Sequence, residues 1–324
     1  MKAWQVTKLG SPEEMTLAEV SDPVPGPGEV LVANRAAGVN FFDTLQIAGK
    51  YQVRPAFPFT PGGELAGAVE ALGEGVEGLA VGDRVMGSPM GGGYAQRTLV
   101  PAERVLPIPE GMTFEQAAGF PIVYQTSWFA LNERGKLQPG ETLLVHAGAS
   151  GVGVAAIEIG KAMGARVFAS ASTPEKRDFC LRHGAEAAID YVQPDWFEQV
   201  KALTGGIGAD VIYDPVGGDV FDLSTKCIAP EGRLLVVGFA SGRIPSLPAN
   251  RLLLKNFSAV GVYWGRQADE HPGYLQQAHA RLSELFLAGK LDPPVHRAFP
   301  LDRAPEALAE VSGRRVLGKV VLTI

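Results

Sequence analysis

The stretch LLVHAGASGVGVAA, residues 143–156, decides the fold. Apolar residues run up to Val145, give way to small residues that include Gly148, Gly151 and Gly153, and resume as an Ala- and Ile-rich segment. Glycine costs conformational entropy and contributes no packing, so three of them at the junction of a buried strand and a helix imply a close approach to the backbone. Residues 151–156, GVGVAA, fit the pattern G-x-G-x-x-A between a predicted strand and a predicted helix. In such a turn the first small residue permits the bend and the second admits a pyrophosphate to the backbone. The third lets the helix lie on the strand, while the helix N-terminus offers free N–H groups and a partial positive charge.

The surroundings support that reading. Continuous apolar runs at 142–147, 166–171, 187–189, 210–214, 233–239 and 258–263 alternate with predicted helices at 152–163, 174–183, 194–203 and 218–227. Unbroken apolar runs mean strands covered on both faces, as in a parallel sheet flanked by helices. Six of them in this order predict an α/β, doubly wound Rossmann sheet over residues 123–263. Residues 1–122 differ, with short alternating segments separated by Gly- and Pro-rich turns, and read as mostly β. Residues 264–324 carry amphipathic helices at 274–288 and 304–312 and a closing strand, KVVLTI.

Bulk properties exclude several classes. The 324 residues are 46% hydrophobic and 20% charged, enough for sizeable cores. A net charge of −6 lacks the cationic field that a nucleic-acid partner needs. Two cysteines, Cys180 and Cys227, cannot build a disulfide scaffold and fit a reducing, cytoplasmic setting. The N-terminal MKAWQVTKLGSPEEM lacks the apolar core of a signal peptide, and no run reaches membrane-spanning length, so no membrane association is expected.

The end of the second strand selects the dinucleotide. NAD sites place an acid there for the ribose 2′-hydroxyl. Here ASASTPEKRDF has no acid at 169–173, and Lys176 and Arg177 follow, which favours NADP(H). The competing reading makes those two cations an ordinary solvated helix face, with Glu175 beside them.

Several motifs occur together in order: GVNFFDTLQIAGKY (38–51), FTPGGELAGAVEALGEGV (59–76), GDRV (82–85), FEQAAGFPIVYQTSWFAL (114–131), the glycine loop, and GKVVL (318–322). By these the sequence resembles the zinc-independent quinone oxidoreductase branch of the medium-chain dehydrogenase/reductase superfamily, over essentially its whole length. The resemblance implies a GroES-like β-rich catalytic domain, from 1–122 and 264–324, with an inserted Rossmann domain. Zinc alcohol dehydrogenases carry Cys where this chain has Asn40, and His-Glu where it has Gly63-Glu64. Glu64 alone is not a catalytic zinc site, which needs about three protein ligands. Cys180 and His183 lack further partners and are expected to be packing and surface residues, and His146 a satisfied core histidine.

The resemblance also implies roles, residue by residue. Ser150, Gly151, Val152 and Gly153 form the pyrophosphate loop. Ser172 lies in the ribose-recognition segment, and Lys176 and Tyr191 near the 2′-phosphate. Thr126, Gly238, Phe239, Val262, Tyr263 and Trp264 lie beside the nicotinamide. Asn40, Asp43 and Tyr51 are the polar residues at the substrate end, with Gly63 and Tyr124 in the pocket wall. Against these, Asp43 is alternatively the cap of a helix starting near Thr44, and Tyr51 only a wall. A homodimer joined around SAVGVYW (258–264) is implied as well. The expected activity is metal-independent hydride transfer from NADPH to a quinone, with enoyl or 2-alkenal reduction as the alternative. A third class, a structural or RNA-binding protein that holds the cofactor with little turnover, is disfavoured by the acidic charge.

Overall fold

The computed structural model describes residues 1–324. The chain forms two compact units: Met1–Ile122 with Leu275–His279 and Pro293–Ile324, and Val123–Tyr274 with Ala280–Asp292.

The chain begins with an antiparallel pair, β1 (Lys2–Gln5) and β2 (Thr16–Glu19). Then follow β3 (Glu29–Val39), helix α1 (Phe41–Ile47), β4 (Glu64–Leu72), β5 (Arg84–Gly87), β6 (Arg97–Pro101), β7 (Val105–Pro107) and helix α2 (Phe114–Ala118). Val30, Val32, Leu65, Val69, Val85 and Val100 project into one apolar cluster, the outcome of β-branched residues set at strand spacing. Gly67 allows β4 to lie against β3, since a Cβ there would stand 2.1 Å from the Ala33 carbonyl oxygen.

The second unit opens with α3 (Pro121–Trp128), of which Pro121 and Ile122 belong to the first unit, and a π-helical turn at Phe129–Arg134. Strands and helices then alternate: β8 (Thr142–Val145), α4 (Gly151–Ala162), β9 (Arg166–Ala171), α5 (Pro174–Arg182), β10 (Ala187–Asp190), α6 (Trp196–Leu203), β11 (Ala209–Asp214), α7 (Gly218–Cys227) and β12 (Ile228–Val236). Helix α8 (Ala249–Lys255) and β13 (Ser258–Gly261) complete the alternation. All six strands are parallel, in the order β10-β9-β8-β11-β12-β13. This is the doubly wound order with its reversal between β8 and β11. The inner strands are mostly apolar because helices cover both faces; β8 is buried at every position.

Beyond β13 lie α9 (Trp264–Glu270) and α10 (Tyr274–Leu287). The sequence division ends the dinucleotide domain at 263, whereas the second compact unit runs on. The Tyr274 ring stacks edge-on against Phe129 at 6.0 Å, and the Asp292 N–H donates to Glu158 at 3.2 Å. The chain then returns to the first unit with β14 (Val295–Pro300), α11 (Ala304–Ser312) and β15 (Lys319–Thr323). The seven-stranded sheet there is ordered β14-β15-β3-β4-β5-β7, with β6 on β3. Antiparallel pairing of β15 with the carboxyl half of β3 brings Val320 opposite Val39, and so Lys319 beside Asn40.

Candidate active site

The strand-to-helix turn after β8 is built from strain and close contact. Ala147 has φ +50°, a left-handed conformation that costs an L-residue roughly 1–2 kcal/mol. A Cβ on Gly148 would lie 2.8 Å from Cys180 Sγ and 2.9 Å from Ala169 Cβ, and one on Gly153 only 2.2 Å from the Ala147 carbonyl oxygen. Both glycines are thus demanded by the chain's own packing. Ser150 caps α4, its hydroxyl accepting from the Gly153 N–H at 3.1 Å. The N–H groups of Gly151 and Val152 have no partner within the chain, and they stand at the positive end of α4. Two free donors on a helix N-terminus next to a left-handed turn suit a pyrophosphate. Beside the loop, the Ser127 hydroxyl on α3 donates to the Val152 carbonyl at 3.1 Å and meets the Tyr213 hydroxyl at 3.0 Å. Its neighbour Thr126 is partly exposed.

Other predicted cofactor residues cluster at the carboxyl ends of the parallel strands. Ala171 of β9 is paired with Asp190 of β10, so Ser172 and Tyr191 emerge side by side. Thr173 caps α5 by accepting from the Lys176 N–H at 3.3 Å. Arg177 is held by Asp190 at 3.1 Å. Gly238 and Phe239 follow β12, where Phe239 covers Gly217, and Val262 donates to the Val236 carbonyl at 3.0 Å. Trp264 is buried, and its indole N–H has no partner.

Two further groups sit at these strand ends without having been singled out as functional. Asp214, ending β11, accepts from the N–H groups of Val216 and Gly217 at 2.8 and 3.0 Å. Burial raises its carboxyl to about 6 despite those bonds. His146 is the satisfied core histidine expected. Ser224 donates to the Val220 carbonyl, so its oxygen accepts from His146 Nε2, and the Ser170 hydroxyl donates to Nδ1. Complete burial pushes the imidazole down to about 3 and keeps it neutral.

The residues assigned to the substrate end that lie in the first unit come together around the start of α1. That helix begins at Phe41, not near Thr44, with Asn40 at its N-cap position. Asp43, in the first turn, accepts from the Asn40 backbone N–H at 2.8 Å and from the Tyr94 hydroxyl at 2.9 Å. The Asn40 side chain does not cap. Its Oδ1 accepts from the Lys319 ammonium at 2.7 Å, and its Nδ2 donates to Glu64 Oε1 at 2.9 Å. Gly63 makes room for the Phe42 ring, which a Cβ there would meet at 2.3 Å, and Tyr51 packs on Phe42 with centroids 5.3 Å apart. Asp43 is fully buried and its Oδ1 has no partner. Desolvation lifts its carboxyl to about 7, outweighing the bonds from Asn40 and Tyr94 and the Lys319 charge.

Tyr124 lies in the second unit, buried, with its hydroxyl donated to Glu158 at 2.7 Å. Glu158 also meets His183 Nδ1 at 2.7 Å, so His183 is a partner of a buried carboxylate rather than of Cys180. Both cysteines are free, with thiols raised by burial to about 12 and therefore unreactive. Nowhere do three or more His, Cys, Asp or Glu side chains group as a metal site requires. Glu64, the one residue retained from a zinc ligand set, instead holds Asn40, Lys319 and the Ile122 N–H. The donor set does not fit zinc.

A GroES-like sheet domain together with a parallel six-stranded dinucleotide sheet is the architecture of medium-chain dehydrogenase/reductases. Residues 26–110 match the alcohol dehydrogenase GroES-like domain, and residues 151–280 the zinc-binding dehydrogenase domain, whose metal this chain's side chains do not accommodate. A quinone oxidoreductase-like protein 2 homologue of Nematostella vectensis is 43% identical over 92% of this chain and 82% of its own. A 2-haloacrylate reductase of a Burkholderia species is 32% identical over 98% of this chain and 97% of its own. The structure of Escherichia coli quinone oxidoreductase complexed with NADPH superposes with a TM-score of 0.94 at 29% identity, covering 100% of both chains. The chain belongs to the zinc-independent quinone oxidoreductase branch of that superfamily.

The buried carboxyl of Asp43 generates a pH prediction. Its folded value, about 7, exceeds its ordinary value of 3.8, so its contribution to stability is complete below about pH 4 and is lost as pH rises through 7. Asp43→Asn mimics the protonated form and removes that loss. Relative to the parent, the variant should gain on the order of 3 kcal/mol between pH 4 and pH 8 in urea denaturation. A difference between the two proteins that stays constant over that range would contradict the assignment.

Proposed function

We propose that this oxidoreductase uses NADPH to reduce a quinone. The observation that carries the cofactor half is the pair of unpartnered N–H groups of Gly151 and Val152 at the head of α4, with Ser172, Tyr191 and Lys176 gathered at the neighbouring strand ends. The NADPH complex of the similar Escherichia coli enzyme supports the same reading. Bound NADPH supplies a hydride from C4 of its nicotinamide.

The chain's own residues do the rest. The α4 N-terminus holds the pyrophosphate, and Lys176 with the hydroxyls of Ser172 and Tyr191 receives the 2′-phosphate. Thr126, Gly238, Phe239 and Val262 to Trp264 orient the nicotinamide. Asn40 and Tyr51, with Gly63 beside them, meet the acceptor. With no Lewis acid to polarise a simple carbonyl, a conjugated acceptor suits the site, because negative charge spreads through its π-system. Asn40 keeps one amide N–H with no acceptor in the chain, and that donor steadies the developing charge on oxygen. The same chemistry reduces α,β-unsaturated carbonyls, and the likeness to a 2-haloacrylate reductase favours that as the second reading. We place the protein in the cytoplasm on its free buried thiols; no helix is long and apolar enough to cross a membrane.

A panel of quinones, enones and enoyl thioesters, each followed by loss of NADPH absorbance, tests the function. The proposal expects the highest kcat/KM among quinones; a preference for enones would establish the second reading, and inertness toward every acceptor would refute both. Lys176→Ala should weaken NADPH binding about ten- to a hundredfold while leaving NADH binding nearly unchanged, the loss expected of one charge-assisted bond. Equal effects on the two cofactors would remove Lys176 from the 2′-phosphate site.

The assembly is proposed to be a homodimer. β13 is an edge strand of the six-stranded sheet, Ser258, Ala259 and Gly261 are exposed, and on α8 Leu253 and Leu254 are 75% and 78% exposed. An open edge next to exposed leucines invites pairing with a second copy. Light scattering at micromolar concentration should give twice the chain mass, and Leu253→Glu with Leu254→Glu should reduce it to that of one chain. A parent protein of single-chain mass would contradict the dimer.

A further inference from the structure

Lys319 belongs to the GKVVL motif and has been given no role beyond marking the family. It opens β15, yet it is only 6% exposed. Its ammonium donates three bonds, to Glu64 Oε1 at 2.7 Å, Asn40 Oδ1 at 2.7 Å and the Val39 carbonyl at 3.1 Å. An ammonium has three protons, so it is saturated. Glu64 is completely buried, and its other oxygen accepts the Ile122 N–H at 2.9 Å. The space around the pair is cut to measure. A Cβ on Gly38 would fall 2.4 Å from Glu64 Oε1, and one on Gly119 would lie 3.1 Å from the Lys319 side chain.

Stability alone does not call for this arrangement. Taking two charges out of water costs so much that a well-packed apolar pair often serves a fold equally well. What an apolar pair cannot do is orient an amide. Lys319 has donors only, so the Asn40 atom facing it must be the carbonyl oxygen. Glu64 Oε1 has acceptors only, so the atom facing it must be the amide nitrogen. A flipped amide would set NH2 against NH3⁺ and C=O against a carboxylate. Every donor of the network is then satisfied except the second N–H of Asn40, on a residue 7% exposed.

We propose that Lys319 is a positioning residue for acceptor reduction. Together with Glu64 it locks the amide of Asn40 in the one orientation that presents an N–H, rather than a C=O, to the acceptor oxygen. The proposal rests on the reading of Asn40 as an acceptor contact. It also accounts for an ion pair built beside an asparagine where the zinc enzymes place ligands. Without Lys319 the Asn40 amide can turn over and offer its carbonyl to an oxygen that is gaining negative charge.

A double-mutant cycle with NADPH and 1,4-naphthoquinone tests this. Asn40→Ala and Lys319→Met should each lower kcat about ten- to a hundredfold, with NADPH affinity, measured by quenching of protein fluorescence, changed less than threefold. The double variant should turn over no more slowly than Asn40→Ala alone, because Lys319 acts only through Asn40. Urea midpoints measured alongside separate the two effects, since any destabilisation by Lys319→Met should persist in the Asn40→Ala background while the kcat effect vanishes. If Lys319→Met does not fold, Lys319→Gln carries the cycle. It retains a donor for Asn40 Oδ1 and should recover part of the lost kcat when the methionine variant can be measured. Additive losses in kcat overturn the positioning role even when Asn40→Ala is slow. An Asn40→Ala variant with parental kcat instead overturns the reading of Asn40 itself, and the proposal with it.

Discussion

One buried ammonium ties together four stretches of the first unit. Lys319 and Glu64 lie 255 positions apart in sequence, and their 2.7 Å contact joins the closing strand, the end of β3, the start of β4 and, through the Ile122 N–H, the start of α3. All of these groups are buried, so exchanging a partner for solvent is costly. Removing any one would strand a charge or a polar group in the interior, a far larger penalty than losing a surface pair. The constraint fixes where β15 ends its approach to β3, and with it where α1 begins. The position of Asn40, and of the Phe42 and Tyr51 rings after it, follows from there.

The second unit rests on a different constraint, close backbone contact. Gly148 and Gly153 after β8 are needed because Ala147, Ala169 and Cys180 occupy the space that side chains would fill. The sequence pattern suggested that Gly153 stays bare for a pyrophosphate. The geometry shows a prior demand, its proximity to the Ala147 carbonyl oxygen, and the N–H groups left without a partner are those of Gly151 and Val152. A turn the chain would need to make in any case thus leaves two amides unpaired, and the helix dipole gives them a preference for an anion.

This difference explains what could be read in the sequence. The six parallel strands and the helices between them were legible within a few residues, because burial on both faces writes an unbroken apolar run that polar helix faces interrupt. Helices α8 and α9 were not anticipated; both are short, and α8 carries exposed Leu253 and Leu254 while only Leu252 of its leucines packs on the core. The alternative start of α1 near Thr44 came from reading Asp43 as a cap, whereas Asp43 lies in the first turn, and nothing local says that the side chain of Asn40, at the true cap position, is taken by a lysine 279 positions away. Lys319 itself was invisible for the same reason. A single lysine opening an apolar strand looks like a solvent-facing end, and only pairing with Val39 and Glu64 reverses that. Tyr124 shows the same limit, its hydroxyl claimed by a glutamate on α4 that no spacing rule connects to it.

The central claim is that these residues support hydride transfer from NADPH to a conjugated acceptor with no metal taking part. Stopped-flow oxidation of NADPH deuterated at C4, on one face and then the other, by a quinone and with protein dialysed against a chelator, tests it most directly. The account predicts full turnover after dialysis and a primary isotope effect for one face only. Turnover abolished by the chelator and restored by zinc, or a rate insensitive to deuterium on either face in single turnovers, would contradict it.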